Sequence, residues 1–199
     1  MDVDTIVALA GWVDGRDQCA GGHGERVATL AVALARHLGY EGERLEAVRV
    51  GALLHDLGKI GIPARILCKP GPLSDEEWSV MREHPLVSHA LVAALDVPDA
   101  VRAIARHSHE RMDGAGYPDG LAGEQIPEEA RIVFVADAFD ALTSNRPYRA
   151  GRAAAEAVEE VRRHSGTQFC PGVVAALEAL YRDEPASLQN ESERLAAVA

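Results

Sequence analysis

Aromatic residues make up only 5% of this 199-residue chain. Alternating β-branched runs, the mark of half-buried strands, are almost missing, which argues against a β-rich fold. Cysteine is scarce as well. Cys19, Cys68 and Cys170 are odd in number, scattered and without C-x-x-C spacing. They read as reduced thiols, not as a disulfide framework or a sulfur metal site. Basic residues are outnumbered 20 to 31, leaving a formal charge of −11. That balance argues against a broad surface for polymeric nucleic acid or an anionic membrane, while a local basic pocket for a small anion stays open. No apolar run is long enough to span a bilayer, so no membrane partner is expected in this chain. Met1-Asp2-Val3-Asp4 lacks the basic start of a secretory signal, and the cytoplasm is the expected compartment. Repeats and low-complexity tracts are absent too.

What is present is apolar periodicity. The chain is 47% hydrophobic and 26% charged, and apolar residues recur at helical spacing nearly throughout. Helices are expected over residues 4–14 and from about His23 to His37, where Val27, Leu30, Ala31 and Leu34 share a face and Gly39 is the stop. A third is expected over 43–57. Ser74-Asp75-Glu76-Glu77 has the form of a capping box. The helix it opens is expected to end near His84, because Pro85 disfavours a helical residue before it. Pro85 and Pro98 suit the openings of two more helices. Further helices are expected over 127–143, 152–164 and 171–182. Two Gly/Pro-rich loops cover 58–73 and 110–127, and loops of that length are uncommon unless functional. The fold expected is all-α, a single compact bundle of seven or more helices over 1–182. A tail over 183–199 is expected to be a short helix or disordered.

Ionisable residues interrupt this pattern at particular places. His55 and Asp56 close an otherwise apolar helix, and burying such groups without partners is costly. His23 opens the second helix; His84 is expected to end the fourth, and His107 and His109 the sixth. Asp137 and Asp140 share a face of the apolar segment from Ile132 to Leu142. One account covers all of these: helix ends converge on a metal site of histidine nitrogens and aspartate oxygens, a donor set that suits Mn, Fe, Co, Ni or Zn. His55, Asp56, His84, His109 and Asp137, with His23 and His107 as further candidates, exceed what one ion needs. Two divalent ions bridged by Asp56 are therefore expected. His107 reads equally well as a neighbour of the site, and Asp140 as a supporting acid. Lys59, Arg146 and Arg149 flank the candidate site. Cations gathered there in so acidic a chain point to an anionic substrate, and arginine suits bidentate phosphate contact.

The motifs Gly22-His23-Gly24-Glu25-Arg26, His55-Asp56-Leu57-Gly58-Lys59, His84-Pro85, His109-Glu110-Arg111-Met112-Asp113-Gly114-Ala115-Gly116-Tyr117-Pro118 and Arg146-Pro147-Tyr148-Arg149 together resemble the HD-GYP domain, a subgroup of the HD-domain metal-dependent phosphohydrolases. The resemblance runs from about Gly15 to Leu180. It implies an all-α HD-domain bundle with a long loop carrying the Gly-Tyr-Pro element. It implies a metal-dependent phosphodiesterase that hydrolyses cyclic di-GMP to pGpG or GMP in bacterial second-messenger signalling. By the resemblance, His55, Asp56, His84, His109 and Asp137 align with metal ligands, Asp56 and Lys59 with catalytic positions, and Lys59, Arg146 and Arg149 with substrate-binding positions. Asp113, Gly114 and Tyr117 would border the substrate. Regulatory or signalling protein partners and a homodimer are compatible with it.

The chain also departs from the pattern. The family usually has two adjacent histidines before the glutamate, and here the first is Ser108. Serine is a poor ligand for these ions, so one ion loses a nitrogen. His107 substitutes only if the helix end shifts, since neighbouring helical side chains point about 100° apart. The alternative reading is therefore a degenerate domain that binds cyclic di-GMP or a protein partner with little or no hydrolysis. Cys19 stands where a subgroup holding a third metal has glutamate, so at most two ions are expected. Cys170 replaces a usual aspartate, which weakens a helix cap by about 1 kcal/mol.

Overall fold

The computed structural model describes residues 3–16, 22–145 and 150–188. Among them the chain forms α-helices and no strand: α1 (Val3–Arg16), α2 (His23–His37), α3 (Gly42–Leu54), α4 (Ala64–Leu67), α5 (Asp75–Met81), α6 (His84–Ala93), α7 (Asp99–His107), α8 (Glu128–Thr143), α9 (Ala154–Arg163) and α10 (Pro171–Asp183). The all-α expectation holds. Among the described residues no helix is long and apolar enough to cross a membrane, and Cys170 is a free thiol.

Helix α2 is the axis of the bundle. Val27, Leu30, Ala31 and Leu34 are buried at i, i+3, i+4 and i+7, and they pack α2 against α3 and α8. Each buried leucine contributes roughly 1.5–3 kcal/mol relative to an exposed one. Ile132, Val133, Val135, Ala136 and Phe139 of α8 join the same core, with α9 and α10 closing it. A smaller cluster, including Val50, Leu54, Leu57, Val92 and Val101, ties α3 to α6 and α7.

Three local differences from the sequence expectation bear on the site. The third helix stops at Leu54, and His55 and Asp56 sit in the turn before a 3-10 segment, Leu57–Gly61. The 58–73 stretch is thus not bare loop, since it also carries α4. The capping box at Ser74 and Glu77 is formed. However, α5 ends at Met81, and His84 is the first residue of α6 instead of the last of α5. Pro85 lies in the first turn of α6, where its fixed φ and missing N–H cost nothing.

The 110–127 loop is organised from within. The buried Glu110 carboxylate accepts the backbone N–H groups of Asp119 (2.7 Å), Gly120 (3.1 Å) and Leu121 (3.1 Å). Gly116 runs so close to the loop start that a Cβ there would lie 2.4 Å from the Arg111 nitrogen. At the other end of the domain, α10 reaches Asp183 and a 3-10 turn, Pro185–Leu188, lays Leu188 on the core. The rest of the expected tail lies outside the described residues, as do Cys19, Arg146 and Arg149.

Cys170 is the N-cap of α10 and makes no side-chain cap hydrogen bond; its sulfur lies 3.7 Å from Arg131 Nη1. Cys170→Asp should supply both a cap acceptor and an ion-pair partner for Arg131. A gain of about 1 kcal/mol is expected, a rise in Tm of about 2–4 °C. Thermal denaturation followed by circular dichroism checks it.

Candidate metal centre

Five separate chain segments deliver the site. His23 is the first residue of α2, His55 and Asp56 follow α3, His84 opens α6, His109 follows α7, and Asp137 lies mid-way along α8. At its centre is the buried Asp56 carboxylate, whose two oxygens face different neighbours. Oδ1 lies 3.1 Å from His84 Nε2 and 3.6 Å from His109 Nε2. Oδ2 lies 3.4 Å from His55 Nε2, 3.6 Å from His23 Nε2 and 2.5 Å from Lys59 Nζ. Asp137 closes the ring, 3.3 Å from His23 Nε2 and 3.9 Å from His109 Nδ1.

The imidazoles are oriented by their outer nitrogens. His55 Nδ1 meets the Ala52 carbonyl at 2.6 Å and His84 Nδ1 meets that of Met81 at 2.8 Å. A carbonyl only accepts, so both Nδ1 atoms carry a proton and both rings turn Nε2, the atom left to coordinate, inward. His23 is held by an acid instead: Asp140 Oδ2 lies 2.7 Å from its Nδ1. Arg26 in turn grips that carboxylate through Nε (2.6 Å) and Nη2 (3.0 Å). Asp140 thus occupies the supporting position expected of it. Such outer partners fix tautomer and aim in metal sites.

The donor set fits a divalent cation. His55 Nε2 and Asp56 Oδ1 are buried with no hydrogen-bond partner, and His84 Nε2 faces His109 Nε2 at 3.0 Å. Buried polar atoms are rarely left unmatched, and converging lone pairs need a positive charge between them. Two clusters satisfy the spacing for a shared ion, His23 with His55 and Asp137, and His55 with Asp56 and His109. Burial alone would raise the Asp56 carboxyl, but the charges of His55 and Lys59 overcome it and hold it well below the usual range. Asp137 is likewise held down against burial by its hydrogen bond from His23. Burial lowers His109, which keeps it neutral and ready to coordinate.

The remaining candidates stand elsewhere. His107 turns toward Asp119 (3.4 Å) and forms a separate group with Glu110. There Asp119 is already gripped by Arg106 and Glu110 by backbone N–H groups, so it is a loop anchor. Ser108 is fully buried, and its Oγ has no partner. Asp113 is exposed and paired with Arg111 (2.7 Å), and with Gly114 it shapes the loop turn. Tyr117 does border the site, stacked on His109 with ring centroids 5.2 Å apart and an interplanar angle of 15°.

Several supporting residues were not anticipated. Ser88 is buried and bridges the site, accepting the Gly58 N–H and donating to the His55 carbonyl, each at 2.8 Å. Asp14 of α1 accepts the Gly24 N–H at 2.8 Å and pins the start of α2. Arg82 lies 5.8 Å from the Tyr117 ring centroid, adding a cation at the mouth. Only Arg26 had a signal, its place within the motif around His23.

The chain matches the HD domain family over residues 9–173. It is 41% identical to RpfG of Xanthomonas campestris pv. campestris, a cyclic di-GMP phosphodiesterase response regulator, over 87% of this chain and 47% of that protein. It is 34% identical to 3'3'-cGAMP-specific phosphodiesterase 3 of Vibrio cholerae over 95% of this chain and 42% of that one. The chain therefore spans less than half the length of these two relatives. Among solved structures, an HDG"Y"P protein from Bdellovibrio bacteriovorus superposes with a TM-score of 0.66 at 27% identity, covering 80% of this chain and 51% of that one.

Proposed function

The chain belongs to the HD domain family, and on that footing we propose that it is a two-metal phosphodiesterase acting on cyclic di-GMP. The observation that carries this reading is the split of the Asp56 carboxylate between two sets of nitrogens. His84 and His109 would hold one ion with Oδ1. His23, His55 and Asp137 would hold the other with Oδ2. Two divalent ions held there would lower the pKa of water and neutralise a phosphodiester. Asp56 would be their shared ligand. Hydrolysis forms a P–O bond to water and breaks the bond to the 3'-oxygen, on which negative charge develops. Lys59, whose Nζ sits beside Asp56, is the cation available to that oxygen. Tyr117 covers His109 and shields the centre from bulk water. Arg82 and, by the family resemblance, Arg146 and Arg149 would contact the phosphates.

Ser108 favours a second reading, in which the domain binds the dinucleotide and cleaves it little or not at all. Metal content per chain and cyclic di-GMP turnover with Mn or Fe separate the two, measured on the parent and on Ser108→His. Two ions and robust turnover in the parent support the phosphodiesterase. One ion or none, with the dinucleotide still bound and turnover raised about tenfold or more in Ser108→His, supports the second reading. No turnover and no binding, with Asp56→Ala indistinguishable from the parent, would overturn both.

A further inference from the structure

A cavity of about 370 Å³ opens beside Asp137, between α8 and the turn that joins α9 to α10. That volume is in the range of small-ligand sites. It is lined by the small side chain of Ala138 and by Phe134, His164, Gln168 and Phe169. The rings of Phe134 and Phe169 lie 5.3 Å apart, tilted by 47°. Phe134 also meets the edge of His109, at 6.3 Å, so one wall is shared with the metal centre. Asp137 lines this cavity as well as the metal centre, so a ligand whose phosphate met ions held there would have the cavity within reach of its next group.

Asp137 belongs to the metal centre, which leaves Glu160, His164 and Gln168 as the cavity's polar side chains. Glu160 at the rim is already engaged by Arg152 (3.2 Å) and by His164 (3.4 Å). The Gln168 side-chain amide makes no hydrogen bond with any described residue. Its backbone is nevertheless fixed: the Gln168 carbonyl accepts the Met112 N–H at 3.3 Å, and its N–H donates to the His164 carbonyl at 3.0 Å. An unpaired amide on a rigid turn, facing aromatic and apolar walls, is the equipment that reads the edge of a planar heterocycle.

We propose that this cavity seats one purine base of the cyclic dinucleotide and that Gln168 reads its edge, an inference that rests on the proposed function. The amide can accept from guanine N1–H while donating to O6. Turned over, it can accept from adenine N6–H while donating to N1. Glutamine therefore admits either purine. A carboxylate only accepts; it matches guanine N1–H and N2–H but meets the lone pair of adenine N1.

The test uses cyclic di-GMP and cyclic di-AMP, so that whichever base enters the cavity is of known kind. Equilibrium dialysis gives Kd for both on the chelator-treated and metal-loaded protein, for the parent, Gln168→Leu and Gln168→Glu. Hydrolysis of bis(p-nitrophenyl) phosphate, which has no base, reports on the metal centre alone. Gln168→Leu should weaken both dinucleotides about tenfold, and Gln168→Glu should raise the preference for cyclic di-GMP over cyclic di-AMP about tenfold, with hydrolysis of the simple ester within about twofold of the parent. If the parent binds cyclic di-GMP but neither variant changes affinity or preference, the base site is wrong and the phosphodiesterase reading stands. If either variant loses simple-ester hydrolysis in proportion, Gln168 is structural and the base site is likewise overturned. If the parent hydrolyses the simple ester but binds neither dinucleotide, the proposed function falls and this inference with it.

Discussion

Asp56→Asn should strip the centre of at least one ion per chain and lower phosphodiester hydrolysis by about a thousandfold or more. The substitution keeps shape and removes what matters. An amide offers one accepting oxygen and turns an N–H₂ toward the other set of nitrogens, so one of the two ions loses its shared ligand. It also leaves the Lys59 ammonium without the carboxylate it now contacts. Asp113→Asn is the control: that side chain is exposed and paired with Arg111, and metal content should not change. Elemental analysis with turnover on the same samples checks both. The ion-free protein supplies a further readout. Asp56 and Asp137 are both held below the ordinary carboxylate range. A depressed carboxyl stabilises the fold fully above its unfolded pKa and loses that contribution as pH falls through the folded value. Chelated parent should therefore lose Tm as pH drops below about 4, and Asp56→Asn should lose it less steeply.

The parts of this site legible in the sequence are the ones where chemistry contradicts periodicity. His55, Asp56 and Asp137 sit where an apolar helix should continue, and unpaired burial of such groups demands compensation. His84 was legible as a candidate, although its place was not. Pro85 opens α6 as expected, but His84 belongs to that helix and does not end α5, which stops at Met81. That change matters, because it lets His84 turn Nδ1 back to the carbonyl of Met81 at the end of α5 and so aim Nε2 inward. The residues that aim the ligands were largely silent. Ser88 and Asp14 have ordinary sequence surroundings, and their roles arise from contacts across 30 and 10 residues. No local period encodes such distances. The same holds for the cavity, which draws Phe134 and Ala138 from α8 and Gln168 from a turn. His107 illustrates the converse. In sequence it reads equally well as a ligand and as a neighbour of the site, and the helix end turns it toward Asp119.

Gly58→Ala should cost about 10- to 100-fold in metal affinity with no change to any ligand. A Cβ at this position would lie 2.0 Å from the His84 carbonyl oxygen and 2.6 Å from the Ser88 nitrogen. Both are backbone atoms of the first turns of α6, so no side chain can swing aside and the helix itself must retreat. His84 retreats with it. Ser88 does too, and with it go the hydrogen bonds from Gly58 N–H and to the His55 carbonyl. One methyl group thus moves two imidazoles, His84 of α6 and His55 in the turn after α3, and a displacement of about 1 Å in a reacting assembly can cost about 100-fold in rate. Overpacking of this kind also destabilises by about 1–3 kcal/mol, so a melt must accompany each titration. Two companions separate the causes. Gly61→Ala, where a Cβ meets nothing within 4 Å, should leave both metal affinity and Tm near the parent values. Ser88→Ala removes the bridge without pushing α6, and should lose metal affinity by less than Gly58→Ala. If Gly58→Ala binds its ions as tightly as the parent, α6 is free to shift without carrying His84 off target, and the close approach of Gly58 to α6 does not set the ligand geometry.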